Sequence, residues 1–368
     1  MFVRAFLEHQ INALAKSYDV CIITNLESDK KMLTHLPNNV NIIDLPIKRK
    51  ISLFADLKAL FILILILLKG EFSLVHSASP KAGLITAIAA WVVRIPNRLH
   101  TFTGQVWATK EGLSRWLLKF FDKIIVLLNT KILVDSLSQQ GFLIKEGVVT
   151  KKSSLVLGRG SISGVDISRF HPSKIYKKLI RKQLNIKDDC IVFLFVGRLK
   201  REKGVFELIH AFKKVSEQHD NVALLIVGPD EEKLKQELIN YLGLIIEIVK
   251  FIDFTPTPER YMAASDIFVL PSHREGFGSV IIEAASCGLP SIGSDIYGLS
   301  DAIKTNVTGF LVPTGSSESL KETMLELANN NELRNKMGLN ARNRAINNFS
   351  QDYITLKILQ FYKELIKK

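Results

Sequence analysis

Two carboxylates eight residues apart, Glu275 and Glu283, flank a glycine-containing break in the stretch Leu270-Pro-Ser-His-Arg-Glu-Gly-Phe-Gly-Ser-Val-Ile-Ile-Glu283. An ionised carboxylate only accepts hydrogen bonds, and its two oxygens can take two neighbouring hydroxyls as donors. Such a pair suits a polyhydroxylated ligand, a sugar or a ribose. An apolar strand ends at Leu270 and a helix begins near Ser279, so Gly276, Phe277 and Gly278 lie in the loop between them. Backbone N–H groups at a helix start face outward there, and glycine lets an anion such as phosphate come close. The plainer alternative is a loop charge and an exposed helix residue; the surrounding glycines favour the site.

A second stretch, Phe195-Val-Gly-Arg-Leu-Lys-Arg-Glu-Lys-Gly204, has the same build: a strand end, a glycine turn at Gly197, then a helix. Arg198 and Lys203 would stand at the same sheet edge. Arginine offers a planar fork and lysine a mobile point charge, a combination that can hold a diphosphate and stabilise it as a leaving group. Solvated loop cations are the alternative.

Both stretches need a frame. Val20–Thr24, Val40–Leu45, Leu74–His76, Arg98–Phe102 and Ile124–Leu128 read as strands separated by helical patterns, which is βαβ logic. After the Gly- and Ser-rich Gly158–Asp166 the pattern restarts with strands at Ile191–Val196, Ala223–Val227, Ile246–Lys250, Ile267–Leu270 and Ser291–Gly293. These later runs are almost continuously apolar, as strands covered by helices on both faces are. Ser316 to Lys368 reads as helix. The predicted division is a domain at 1–170, a second at 171–350, and a terminal helix, 351–368, folding back on the first. Doubly wound domains open with a strand and a glycine turn, but this chain opens with the helical pattern Phe2–Ala15. The first domain is therefore expected to lack its opening strand, as in a truncated chain or one translated from an internal start.

At 368 residues and 47% hydrophobic content the chain can bury large cores. Cys21, Cys190 and Cys287 show no metal-ligand or redox spacing, which fits a reducing compartment and makes the cytosol the expected location. The net charge of +13 is concentrated early: 22 Lys/Arg face 12 Asp/Glu in residues 1–170, against 27 and 24 in the remainder. A basic domain attracts phosphates or anionic lipid. No nucleic-acid motif accompanies it, so nucleic acid is not an expected partner. Ala59–Leu68 is very apolar but, at ten residues, too short for the roughly 20 that span a bilayer. Either it is a helix buried against a sheet, or it dips into the membrane interface beside Lys48, Arg49 and Lys50.

The Glu275 and Gly197 stretches together resemble the retaining, nucleotide-sugar-dependent glycosyltransferases of the GT-B fold, the family 4-like group that includes bacterial capsule and lipopolysaccharide enzymes. The signature is Glu-x7-Glu, here Glu275 and Glu283. Supporting matches are His76-Ser-Ala-Ser-Pro-Lys-Ala-Gly83, Gly160-Ser-Ile-Ser-Gly-Val-Asp-Ile-Ser-Arg-Phe170, Ser294-Asp-Ile-Tyr-Gly298 and Thr308-Gly-Phe-Leu-Val312. The resemblance implies an α/β fold of two Rossmann-like domains facing a cleft. It implies that Glu275 contacts the donor sugar hydroxyls and Glu283 the ribose. Arg198 and Lys203 would hold the diphosphate, assisted by Gly197 and by backbone amides near Phe277, Gly278 and Ser279. The family commonly works without a metal, and its mechanism is drawn as front-face attack; the chain has no Asp-x-Asp motif, and no metal or other cofactor is expected. Many relatives carry a His-Gly pair near the donor sugar where this chain has Thr103-Gly104, and His100 either substitutes for that histidine or packs within its strand.

The function so implied is transfer of a hexose or N-acetylhexosamine from a nucleotide-sugar, UDP being the commoner carrier, to a lipid-linked or polysaccharide acceptor. The enzyme would sit peripherally on the anionic inner face of the cytoplasmic membrane. The alternatives are a truncated, inactive nucleotide-sugar-binding remnant or a GT-B nucleotide-sugar epimerase. A glycogen-type phosphorylase needs a pyridoxal lysine, and an epimerase needs additional acid and base groups, for which the chain shows no pattern.

Overall fold

The computed structural model describes residues 7–26, 36–48 and 52–366. It divides into two compact units, residues 1–164 with 351–368, and residues 165–350.

In the first unit the strands are β1 (Cys21–Thr24), β2 (Asn41–Asp44), β3 (Leu74–Ala78), β4 (Asn97–Phe102), β5 (Lys131–Val134) and β6 (Ser154–Leu155). The helices are α1 (Glu8–Leu14), α2 (Leu53–Lys69), α3 (Pro80–Val92), α4 (Gly112–Leu128) and α5 (Leu137–Lys145). β1 and β2 pair in parallel with each other, while β3-β4-β5-β6 form a separate parallel sheet in that order. Among the described residues no strand precedes β1; α1 occupies Glu8–Leu14, and Phe2–Phe6 lie outside the described residues. Strand alternation assigns the faces of the larger sheet. Phe102, Ile132 and Val134 enter one core with Ile125 of α4 and Leu143 of α5. Leu99 and Leu133, of the other parity, point to the opposite core.

The second unit contains α6 (Lys174–Gln183), β7 (Ile191–Val196), α7 (Val205–Ser216), β8 (Val222–Val227), α8 (Lys235–Leu242), β9 (Val249–Ile252), α9 (Pro258–Ala264) and β10 (Ile267–Leu270). It continues with α10 (Ser279–Ser286), β11 (Ser291–Ser294), α11 (Leu299–Ala302), β12 (Gly309–Val312), α12 (Ser317–Asn329) and α13 (Asn331–Phe349). Its parallel sheet has the order β12-β11-β10-β7-β8-β9. The chain therefore starts at a central strand, builds outward to β9, and returns to build outward on the other side through β10. Strands β7, β8 and β10 are buried almost throughout, consistent with helices on both faces. After α13 the chain returns to the first unit as α14 (Gln351–Ile366), whose Ile358, Phe361 and Tyr362 pack on Leu14, Leu99 and Leu133.

Three sequence expectations are corrected. Ile124–Leu128 is the end of α4, because Trp116, Phe120, Phe121, Ile124, Ile125 and Leu128 recur at helical spacing. The strand follows it, at Lys131–Val134. Gly243–Ile248 is a 3-10 helix, so the strand predicted at Ile246–Lys250 begins only at Val249. Gly309–Val312, not predicted as a strand, forms the sheet edge β12. The apolar Ala59–Leu68 lies within α2, which buries Ala59, Leu63 and Leu67 against α3. Of the basic cluster proposed beside it, Arg49 and Lys50 lie outside the described residues. Among the described residues no helix is long and apolar enough to cross a membrane.

Candidate active site

The strand order of the second unit reverses between β7 and β10, and open α/β sheets bind ligands in the crevice outside the carboxyl ends of such a pair. Both sequence-predicted loops emerge there. After β7 the chain turns at Gly197, whose N–H donates to the Val227 carbonyl at 2.9 Å. Arg201–Lys203 then form a single 3-10 turn, and Gly204 starts α7. Two glycines are demanded by close backbone approach. Gly204 has φ +69, and a Cβ there would lie 2.0 Å from the Pro271 carbonyl oxygen at the end of β10. Gly228, after β8, has φ +144 and would place a Cβ 1.9 Å from the Gly197 oxygen. The turns after β7, β8 and β10 are thus held in direct backbone contact.

The β10 loop is tied to the β7 turn by polar contacts. The His273 N–H donates to the Glu202 carbonyl at 2.9 Å, and Arg274 pairs with the Glu202 carboxylate at 3.0 Å. This guanidinium helps hold the Glu202 carboxyl below its ordinary pKa, against the opposing effect of burial. The His273 ring meets Glu207, on α7, at 2.9 Å. Within this frame Lys203 Nζ lies 2.6 Å from Glu275 Oε1, which also accepts a hydrogen bond from the Ser272 hydroxyl at 2.9 Å. Lys203 and Glu275 are only 14% and 15% exposed, so both are fixed rather than splayed into solvent. Arg198 stands farther out, 3.2 Å from Glu231, which also takes Lys200 at 2.9 Å.

Gly278, at φ +71, caps α10 without a side-chain hydrogen bond, and the first turn of that helix has no acidic residue. That leaves the positive end of the helix to an outside anion. The Phe277 side chain is buried against Phe349, ring centroids 5.2 Å apart, so only its backbone is available to the loop. Glu283 lies one turn into α10. Burial raises its carboxyl to about 7; nearby Arg169 pulls it down and Glu259 pushes it up. Arg169 and Glu259 are themselves paired at 2.8 Å.

The residues flagged in the first unit are placed differently. Thr103 and Gly104 follow the carboxyl end of β4. His100 is 1% exposed, with Nδ1 2.9 Å from the Ser77 hydroxyl, and its ring is pressed so closely on α3 that a Cβ at Gly83 would meet it at 2.3 Å. Burial, reinforced by His76, lowers its pKa to about 3. The structure places its ring inside the first unit, packed between Ser77 and α3. Sequence reasoning missed Asp135, which lines a cavity of about 20 Å³ with Gln10, His76, Thr101 and Ser161 and whose carboxyl burial pushes up to about 8. It also missed Ser272, Glu202, Glu231 and Glu259. Glu202 and Glu259 meet their partners Arg274 and Arg169 from far along the chain, and no local spacing signals such a pairing. Among the described residues no cluster of three or more His, Cys, Asp or Glu is arranged to hold a metal ion.

Residues 177–344 match the family Glycosyl transferases group 1. Over 354 residues the chain is 33% identical to the capsular polysaccharide biosynthesis glycosyltransferase CapM of Staphylococcus aureus, covering 96% of this chain and 92% of that protein. It is 30% identical over 325 residues to the UDP-Gal:alpha-D-GlcNAc-diphosphoundecaprenol alpha-1,3-galactosyltransferase of Escherichia coli, covering 86% and 82% of the two chains. In structure it resembles Anabaena HepE, solved in complex with UDP and glucose, with a TM-score of 0.79 at 21% identity over 97% of this chain and 95% of that one. With two Rossmann-like α/β units and relatives of this extent, the chain belongs to the group 1 glycosyltransferases of GT-B fold.

Proposed function

We propose that the protein transfers a hexose or N-acetylhexosamine from a UDP-sugar, with retention of anomeric configuration, to an acceptor carried on a polyprenyl diphosphate at the cytoplasmic face of a membrane. The observation that carries this reading is the fixed Lys203–Glu275 pair beside the uncapped start of α10 at the sheet's switch point. It sets a cation for phosphate next to a carboxylate for sugar hydroxyls. The E. coli relative, a transferase that takes its sugar from UDP-Gal to a diphosphoundecaprenol-linked sugar, supports the donor and acceptor classes.

On this reading Glu275 accepts hydrogen bonds from the donor sugar and Glu283 from the ribose. Arg198, Lys203 and the amides at Gly278 and Ser279 take the diphosphate. As the bond from the anomeric carbon to the diphosphate oxygen breaks, charge grows on that oxygen, and fixed cations and amides stabilise it without reorganising. The acceptor hydroxyl attacks from the same face and passes its proton to the departing diphosphate. Because Arg198 and Lys203 supply positive charge themselves, no metal is assigned, and a chelator is expected to leave the rate unchanged.

Calorimetric titration tests the donor site without needing the acceptor. UDP is expected to bind saturably and GDP weakly. Arg198→Ala is expected to weaken UDP by about tenfold or more, as loss of a charge-assisted bond does, while barely changing uridine. Equal losses for both, or preference for GDP, would contradict the assignment.

Glu283 adds a pH test. With its carboxyl raised to about 7, the folded protein holds that proton to higher pH than the unfolded chain does. Its contribution to stability is therefore greatest at acid pH and falls as pH rises from the ordinary glutamate range through about 7. Only the ionised form accepts two ribose hydroxyls, so wild-type UDP affinity is expected to climb between roughly pH 6 and pH 8. Glu283→Gln is expected to bind more weakly and to lose that part of the climb; an identical pH profile in the variant would remove Glu283 from the ribose site.

A further inference from the structure

Gly160–Phe170 supplies none of the groups proposed to hold the donor, yet its end lies against the helix that carries Glu283. Asp166 sets the local turn. Its carboxylate accepts from the N–H groups of Ser168 and Arg169 at 3.0 and 3.1 Å, and its carbonyl accepts from the Phe170 N–H at 2.8 Å. Phe170 is then fastened to α10, because the Ser286 hydroxyl donates to its carbonyl at 2.5 Å. Ser286 follows Glu283 by three residues, and positions three apart share one face of a helix. The face of α10 that carries Glu283 is therefore the face laid against Arg169 and Phe170.

Arg169 does not stand alone there. Its Nε and Nη2 both donate to Glu259 Oε2, at 3.0 and 2.8 Å, and Nη2 also donates to the Pro256 carbonyl at 2.6 Å. Glu259 lies in the first turn of α9, which packs on α10, and is only 8% exposed. A carboxylate so shielded needs its cation. Glu283 itself is partly exposed, as a group that meets a ligand must be. Burial raises its carboxyl, and of the two charges acting on it Arg169 opposes the rise and Glu259 adds to it. The other ionisable groups packed around α10 are differently engaged. On α13, Arg342 donates to the Ser286 carbonyl, and Arg344 donates to the carbonyls of Ala302 and Asp301, on α11, at 2.7 and 2.6 Å. Burial, and then the Glu283 charge, pushes the Cys287 thiol up to about 12, so it stays neutral. β10 and β11 carry no ionisable side chain.

We infer that Arg169 and Glu259 are positioning residues for the nucleotide: together they govern the charge of Glu283, and through it the pH range in which the ribose is held. The inference rests on the ribose role proposed for Glu283 and adds what controls it. Because the two charges act on Glu283 in opposite senses, removing one moves it one way and removing the other moves it back.

The test is calorimetric titration of the full chain with UDP from roughly pH 5.5 to pH 8.5, a range that spans the Glu283 titration. The phosphate of UDP titrates alike for every variant, so differences between profiles belong to the protein. Arg169→Gln is expected to displace the rise in affinity upward by about one pH unit and to weaken UDP about fivefold at neutral pH, since a carboxyl deprived of its cation ionises later. Glu259→Gln is expected to displace the rise downward by about one unit and to leave UDP bound as tightly or more tightly at neutral pH. The double variant is expected to lie closer to wild type than either single change, and Arg169→Lys, which keeps the charge, to stay within about half a unit of wild type. Damage to the frame alone would weaken every variant and leave the position of the rise unmoved. Glu259→Gln preserves the side-chain shape, so it carries the test even where Arg169→Gln lowers the unfolding temperature. Profiles that coincide with wild type, or single variants that both shift the same way, overturn the inference. Should Glu283→Gln lose the rise while the Arg169 and Glu259 variants keep it in place, the ribose role of Glu283 stands and only this inference falls. A Glu283→Gln profile identical to wild type removes both.

Discussion

Glu275→Ala is expected to cut the transfer rate by about a thousandfold and to change UDP affinity by less than about threefold. Glu275 does not stand free. Lys203 at 2.6 Å and Ser272 at 2.9 Å hold one of its oxygens in place, and the pair is largely shielded from water. A carboxylate fixed in this way is worth more to a transition state than one that must first be ordered. Alanine would remove the carboxylate proposed to take the sugar hydroxyls and release Lys203, while the backbone amides at the start of α10 and Arg198, proposed to hold the nucleotide, remain. Steady-state turnover with a labelled donor and calorimetry with UDP separate the two effects. Unchanged turnover would take Glu275 out of the chemistry. A parallel collapse of UDP binding would assign it to the frame instead.

Gly204→Val is expected to destabilise the second unit by about 3 kcal/mol or more, since a branched side chain at positive φ is strained and the added atoms meet backbone rather than a movable side chain. A Cβ at this position would stand 2.0 Å from the Pro271 carbonyl, so either the β7 turn or the β10 loop must move. Lys203 is the preceding residue, so the variant that does fold is expected to lose catalysis as well. Gly141→Ala, inside α5 where a Cβ meets nothing within 4 Å, provides the contrast and is expected to stabilise by about 0.5–1 kcal/mol. Thermal unfolding compares the two, and a Gly204→Val protein with wild-type unfolding would show that these turns do not depend on close backbone contact.

The sequence made the second unit more legible than the first, for physical reasons. β7, β8 and β10 are continuous apolar runs because both their faces are covered, and such runs announce themselves. Ile124–Leu128 shows the converse: five apolar residues fit a strand, and only the longer 3–4 spacing back to Trp116 reveals α4. At the site, Glu275, Gly278, Arg198 and Lys203 stand out because glycine turns after strands are local signals. Their supports are not local. Glu202 meets Arg274, and Glu207 meets His273, across loops more than sixty residues apart in the chain, and no spacing encodes an adjacency created by strand order. His100 could be read either way from sequence, and its burial, with the ring pressed on Gly83 and bonded to Ser77, comes from strand pairing that no local spacing encodes. For α2, the choice between burial and exposure dissolves, because a helix apolar all round does both.

The placement of α14 also sets an order of events on the ribosome. The second unit is one uninterrupted segment, residues 165–350, so it can reach its native packing as soon as that segment has emerged. The first unit begins to emerge earlier but waits longer. Its Leu99 and Leu133 stay uncovered until Ile358, Phe361 and Tyr362 arrive. During synthesis the amino-terminal sheet is therefore the late finisher, with an open apolar face for as long as some two hundred residues take to be translated. That is a window for chaperones or for aggregation rather than for catalysis.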